Sequence, residues 1–142
     1  MRTAHKTAIT RTKMSAPAKW LHETGRLTGR VLDYGCGKGK DAELIGCESY
    51  DPYYQPDMPP DSFDTIMCNF VLNVIECEHE RLWVVADIAS RLRKGGCAYI
   101  TVRTDKKSLN GRTKTGTWQG LIELDFPVVK RGSGYITYKV QA

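Results

Sequence analysis

The chain has no apolar run approaching the roughly 18–20 residues that a membrane-spanning helix needs. Its basic N-terminus, MRTAHKTAITRTKMSAPAKW, has no apolar core behind it, so a signal peptide is not expected. A cytoplasmic location follows as the default. The five cysteines (Cys36, Cys47, Cys68, Cys77 and Cys97) are odd in number and show no CxxC spacing. That argues against both a disulfide framework and a zinc site. The nearest approach to a metal cluster is Cys77-Glu78-His79, whose side chains would diverge on a helix, so no metal is expected. Histidine is scarce: His5 and His22 have no assigned role, and His79 reads as a helix-surface residue. No internal repeat and no low-complexity tract is present.

What is there is an ordinary globular composition, with 41% apolar and 26% charged residues over 142 positions. That length favours one domain with a real core. Residues 1–14 read as a basic flexible arm and residues 15–142 as the domain. The net charge of +5 hides a pattern. Residues 1–30 carry +6, residues 31–90 carry −9 and residues 91–142 carry +8. Two basic flanks around an acidic centre point to nucleic acid as a partner, or to a solvated surface.

Strand and helix signals alternate. Ser15-Ala16-Pro17 predicts a helix start with Ser15 as cap, running to about Gly25. Strands are predicted at 30–34, 47–50, 63–70 and 97–103. A short helix is expected from Gly39 to Ile45, and residues 51–62 (DPYYQPDMPPDS) hold four prolines and exclude regular structure. A longer helix is expected over 78–94, with Leu82, Val85, Ala86, Ala89 and Leu92 as its buried stripe and Gly95-Gly96 as its stop. Residues 104–117 read as a basic loop. In the tail, 118–125 and 134–140 are predicted to pair as an edge hairpin. The sum is an α/β, Rossmann-like sheet, mostly parallel and flanked by helices.

Asp33-Tyr34-Gly35-Cys36-Gly37-Lys38-Gly39 lies at the end of the first strand, where ligands of open α/β sheets bind. Its glycines let backbone N–H groups approach a ligand, and the next helix presents its N-terminal end. The spacing is D-x-G-x-G-x-G, and Lys40 stands where the dinucleotide fingerprint needs glycine or alanine. A carboxylate two residues before the first glycine would repel a pyrophosphate. It suits a ligand with an ammonium and a sulfonium, which is S-adenosylmethionine. Asp51, closing the second strand, can accept from both hydroxyls of a ribose. Tyr53 or Tyr54 is then positioned for the adenine face.

At this point the sequence resembles the class I S-adenosylmethionine-dependent methyltransferases. The resemblance is carried by VLDYGCGKGK, SYDPYY, PPDSFDTIMCNFVLNVI and RLRKGGCAYITVR, over roughly residues 29–103. Short words (SAPAKWL, LDYGCGKGKD, YDPYYQPD, NVIE, GTWQ) further resemble putative methyltransferases found beside DNA phosphorothioation genes. The resemblance implies a cofactor site made of Asp33, Gly35, Cys36, Gly37, Gly39, Asp51 and Asn69. Two departures stand out. The family's third strand with its helices is missing between Tyr50 and Thr65, so Tyr53, Ser62 and Phe63 become candidates for the adenine contacts. No helix is evident after the fifth family strand. This is a reduced member, and its uncovered apolar edge favours a homodimer or a partner subunit.

The wall facing the methyl group should be Cys68-Asn69-Phe70-Val71. The chain lacks the D/N/S-P-P-Y/F/W motif of DNA amino-methyltransferases and the Pro-Cys of cytosine C5 chemistry. Asn69 is the candidate catalytic residue, and Asn73 a weaker one. Arg2, Lys6, Arg11 and Lys13, with the loop from Arg103 to Lys114, are placed to bracket a polyanion. Trp118 lines that face or packs the edge strand. The expected activity is methyl transfer to a nucleic acid or nucleotide. A cofactor-binding sensor or subunit without its own turnover is the alternative.

Overall fold

The computed structural model describes residues 12–105, 111–112 and 118–142, the side chain of Arg112 excepted. The basic arm before residue 12 and most of the 104–117 loop lie outside these residues. Helix α1 spans Ala16–Glu23, strand β1 Val31–Tyr34, helix α2 Lys40–Ile45 and strand β2 Glu48–Tyr50. Strand β3 (Phe63–Asn69) ends in a 3-10 turn at Leu72–Val74, and helix α3 (Glu78–Ser90) leads into strand β4 (Leu92–Arg103). Strands β5 (Gly111–Arg112) and β6 (Trp118–Gln119) form a small separate ladder, and β7 (Val128–Gly132) and β8 (Tyr135–Gln141) close the chain.

The main sheet has the order β2-β1-β3-β4-β8-β7. Its first four strands are parallel, and β8 runs antiparallel to β4 and β7. β1, β3 and β4 are almost wholly buried runs, as expected where both faces of a parallel sheet are covered. One face carries Leu32, Ile66, Cys68, Ile100 and Tyr138 against Val84 and Ile88 of α3. The other carries Met67 and Tyr99 against Ala18 and Leu21 of α1. A buried hydroxyl pair, Thr101 and Thr137 at 2.7 Å, joins β4 to β8 across that second face.

With the third-strand unit missing, β2 is a sheet edge only three residues long, which gives another chain little to pair with. Arg30 holds the proline loop against that edge. Its guanidinium grips Glu48 in a fork, with Nε to Oε2 at 2.6 Å and Nη2 to Oε1 at 2.8 Å. It also donates to the Pro60 carbonyl and lies 4.3 Å over the Phe63 ring.

Several expectations need correcting. Ser15 occupies the cap position of α1, but its hydroxyl makes no cap bond. It donates instead to Asp41 of α2, at 2.6 Å, and its N–H donates to the same carboxylate. Helix α3 stops at Ser90, and the chain enters β4 four residues before Gly95-Gly96 completes its turn. Leu92 pairs with Phe63, and pairing then resumes at Thr65 with Cys97, so residues 93–96 form a bulge. Gly96 permits it: a Cβ there would sit 2.7 Å from the Asp64 carbonyl.

The buried stripe of α3 is also different. Val84 and Ile88 face the core, while Leu82 is 61% exposed. The helix has apolar residues on more than one side, so spacing alone does not select the face. The tail hairpin joins 128–132 to 135–141 rather than 118–125 to 134–140, with Ser133-Gly134 as its two-residue turn and Gly134 at φ +80°. Residues 120–126 form an extended strap that packs Ile122, Leu124 and Phe126 onto the core.

Ile88→Ala is expected to cost about 2–5 kcal/mol by opening a core cavity, and Leu82→Ala to stay within about 0.5 kcal/mol. Denaturant unfolding of the two variants reads the difference, and equal losses would contradict this orientation of α3.

Candidate functional site

The carboxyl ends of β1, β2 and β3 meet at one edge of the sheet, so Gly35, Asp51 and Asn69 share a rim. Asp51 organises it. Its Oδ2 accepts from the Gly37 N–H at 2.9 Å, and its Oδ1 accepts from the N–H groups of Tyr53 and Tyr54 at 2.9 and 3.0 Å. Backbone bonds between Asp51 and Gln55 close the turn below it. The glycine loop is thereby fastened to the end of β2.

The loop's own donors are spent internally. Gly35 and Cys36 donate to the Tyr50 carbonyl at 2.7 and 2.9 Å, and Gly39 donates to the Cys36 carbonyl. The expectation that these N–H groups reach a ligand is therefore corrected for Gly35, Cys36, Gly37 and Gly39. A phosphate cradle needs several converging N–H groups aimed outward, and these four point inward. What the glycines supply is conformation and room. Gly35 has φ +79°, and a Cβ there would lie 2.4 Å from Val71 Cγ2. Gly37 and Gly39 also have positive φ, and open space surrounds a Cβ at Gly39. Helix α2 is only six residues long, with Asp41 and Glu43 in its first turn, so it adds no anion site.

The electrostatics favour a cation. Asp33 is buried on β1, and its pKa is pushed up to about 8 by burial first, then by the charges of Asp41 and Asp51. A cationic group entering here would offset that crowding and favour the carboxylate. Burial also pushes the Cys36 thiol up to about 12 and raises Cys68, so neither is a thiolate nucleophile.

Asn69 ends β3 with both amide atoms, Nδ2 and Oδ1, buried and without a hydrogen-bond partner. Such groups are rare in folded proteins because each costs about 1–3 kcal/mol. The next residue, Phe70, is held at φ +61°, a strained conformation for a bulky side chain. Its N–H donates to the Thr101 carbonyl, and its ring meets Tyr135 edge-on. Asn73, in the 3-10 turn, has a second unpartnered atom, Oδ1. Its Nδ2 donates to Gln119 Oε1 at 3.2 Å, and its carbonyl accepts from the Gly120 N–H.

Tyr53 is 60% exposed beside Asp51 and stacks edge-on with Tyr54. Ser62 and Phe63 are not at this rim. They stand at the opposite, amino end of β3, where Phe63 is buried and pairs with Leu92. Six residues of strand put them about 20 Å from Asn69. Proline content suggested a loop long enough to return to the site, but the loop runs back along the sheet edge instead. Sequence reasoning did not find Gln119, which reaches Asn73 only through the folding of the tail. Trp118 closes against Gly120, and the Arg81 guanidinium lies 5.5 Å over its ring. His79 is exposed on α3. Lys13 is exposed, and Arg103 pairs with Asp105. Arg2, Lys6, Arg11 and Lys114 lie outside the described residues.

This is the fold of the class I S-adenosylmethionine-dependent methyltransferases. The chain shares it with Burkholderia thailandensis 1,6-didemethyltoxoflavin-N1-methyltransferase, solved with 1,6-didemethyltoxoflavin and S-adenosylhomocysteine. That match has 18% identity and a TM-score of 0.62, over 99% of this chain and 84% of that one. It shares it also with the N-methyltransferase NodS of Bradyrhizobium japonicum WM9 (11% identity, TM-score 0.57, 99% and 96% of the chains). A third is magnesium protoporphyrin IX methyltransferase of Synechocystis PCC 6803 (14% identity, TM-score 0.57, 89% and 80%). All three were solved with S-adenosylhomocysteine bound. No protein-family model and no curated protein matches the sequence.

The raised pKa of Asp33 fixes the sign of a pH effect. Unfolded, this carboxyl ionises near 4; folded, it keeps its proton to about 8. Its contribution to stability is therefore full below about pH 4 and is lost as pH rises to about 8. Thermal melts across that window should show a downward component that Asp33→Asn removes, and an unchanged slope in the variant would refute the shift.

Proposed function

We propose that the chain binds S-adenosylmethionine at this rim and transfers its methyl group to an anionic acceptor. The observation that carries the reading is the unpartnered amide of Asn69, buried beside the glycine loop of a methyltransferase fold. The residues fit the cofactor. Crowded carboxylates suit its cationic end, the inward-facing loop donors reject a phosphate, and the exposed Tyr53 ring offers a face for adenine. The remaining lone pairs of the Asp51 carboxylate can accept from ribose hydroxyls, since Oδ2 takes only one printed bond.

The bound cofactor supplies a methyl carbon already activated by its sulfonium. The chain's part is then positioning, which can account for a large share of such a barrier. Asp33 ionises toward the ammonium. Asn69 Nδ2 donates and Oδ1 accepts, fixing the cofactor or the acceptor at the end of β3. Phe70 and Val71 shape the wall beside it. An acceptor lone pair forms the new bond to the methyl carbon while the carbon–sulfur bond breaks, its electron pair passing to sulfur. The acceptor's proton leaves to solvent. With the Cys36 and Cys68 thiols held protonated, the wall offers no strong base, so the acceptor is one that is nucleophilic by itself.

The two basic flanks favour an anionic acceptor, a nucleic acid or a nucleotide. The short words shared with phosphorothioation-associated methyltransferases lean the same way and rest on sequence alone. Nucleic-acid binding through those flanks would weaken steeply between low and moderate salt.

Label from methyl-tritiated S-adenosylmethionine is expected in one fraction of host DNA, RNA, protein or small molecules. Asn69→Leu should abolish it and weaken cofactor binding by calorimetry about tenfold, the value of one well-placed hydrogen bond. The same variant should leave the protein as stable as before or more so, because it removes two unpaired buried atoms. Loss of stability with unchanged affinity would make Asn69 structural. Cofactor binding without label in any fraction would establish a sensor or a partner-dependent subunit instead.

A further inference from the structure

The chain builds a second concavity next to the rim. A cavity of about 430 Å³ lies where the strap crosses the β7–β8 hairpin. That volume is within the range of small-molecule sites, roughly 300–1,000 Å³. Ile136 and Tyr138 of β8 and Phe126 of the strap supply apolar wall, and Arg103 and Thr104 stand at the carboxyl end of β4. Arg131 of β7 completes the lining on the far side.

The cavity abuts the cofactor rim through two connections. Gly120 donates to the Asn73 carbonyl, and the next residue, Leu121, lines the cavity. In the sheet, Asn69 pairs with Thr101, and Arg103 lies two residues farther along β4, about 7 Å on.

Charge narrows the occupant. Arg131 is exposed and makes no ion pair among the described residues. Arg103 is held only by Asp105, at 3.3 Å, in a pair more than a third exposed on average. Such a pair is worth little and yields to a better anion. Glu123 also lines the cavity, so two cations face one anion there, with Asp105 close by. That balance accepts one phosphate or carboxylate and opposes a phosphodiester chain. The apolar remainder accepts a ring.

We propose that this cavity receives the methyl acceptor, and that the acceptor is a small molecule carrying one anionic group on a flat apolar body. A mononucleotide and an aromatic acid share that chemistry; a nucleic-acid strand does not. The inference rests on the methyltransferase reading above and names its substrate class. The anionic group pairs with Arg131 and Arg103, the body lies against Phe126, Ile136 and Tyr138, and the reacting atom faces Asn69.

The test is calorimetry on the full chain with S-adenosylhomocysteine, first alone, then followed by nucleoside 5′-monophosphates, by salicylate, or by a short single-stranded oligonucleotide. A monophosphate or salicylate is expected to bind, and which one does identifies the source of the anion. Arg131→Gln and Arg103→Gln should each weaken that binding about tenfold and leave S-adenosylhomocysteine binding unchanged. If S-adenosylhomocysteine binds and neither small probe does, the acceptor pocket is refuted while the cofactor reading stands. Oligonucleotide binding that depends on the same two arginines would overturn the small-molecule class. If S-adenosylhomocysteine itself does not bind, the cofactor reading fails and this one with it.

Discussion

Three backbone N–H groups converge on the Asp51 carboxylate, and the shape of the rim depends on them. The bond from Gly37 ties the glycine loop to β2, while those from Tyr53 and Tyr54 fold the chain back before it enters the proline loop. Because the loop's donors are satisfied within the protein, the rim has no spare N–H pair for a phosphate. Because Asp51 stays charged close to Asp33, it helps hold Asp33 protonated. One carboxylate thus sets the conformation of the loop and the preference of the site for positive charge.

The reduced sheet is closed by local devices rather than by a replacement for the missing unit. Arg30 stands at the start of β1 and joins Glu48, Pro60 and Phe63. The proline loop can then follow the edge of a three-residue strand instead of crossing to a further one. On the opposite side, the strap over 120–126 covers core that a helix would otherwise cover. An extended strap fills less space than a helix, and the cavity beside Arg103 and Arg131 is the room it leaves.

Much of this was legible in the sequence where the signal is local. Val31–Tyr34 followed by spaced glycines reads as strand and turn because only glycine tolerates positive φ beside a packed Val71. Asp51 was recognised by its distance from that turn, although not as the loop's anchor, since its backbone partners appear only on folding. Asn69 was reached by its place at the end of a strand. The failures are non-local. Ser62 and Phe63 were assigned to the rim because the path of a proline-rich loop is not encoded in its residue types. The stripe on α3 was misplaced because Leu82 and Ile88 are equally apolar, and only the packing partners distinguish them. The tail was paired one segment too early. Ser133-Gly134 is the local hairpin signal, while residues 120–126, anchored by Gly120 on Asn73, alternate in burial as a strand would without pairing.

The central claim is that crowded carboxylates make this rim a site for the cationic end of S-adenosylmethionine. Calorimetric binding of S-adenosylmethionine near pH 7, in two buffers of different ionisation enthalpy, counts the protons exchanged. Asp33 holds its proton to about 8 in the unliganded protein, so binding should release close to one proton per cofactor. Asp33→Asn should bind with no such release. Binding without proton release in the parent protein, or the same release in the variant, would contradict the account.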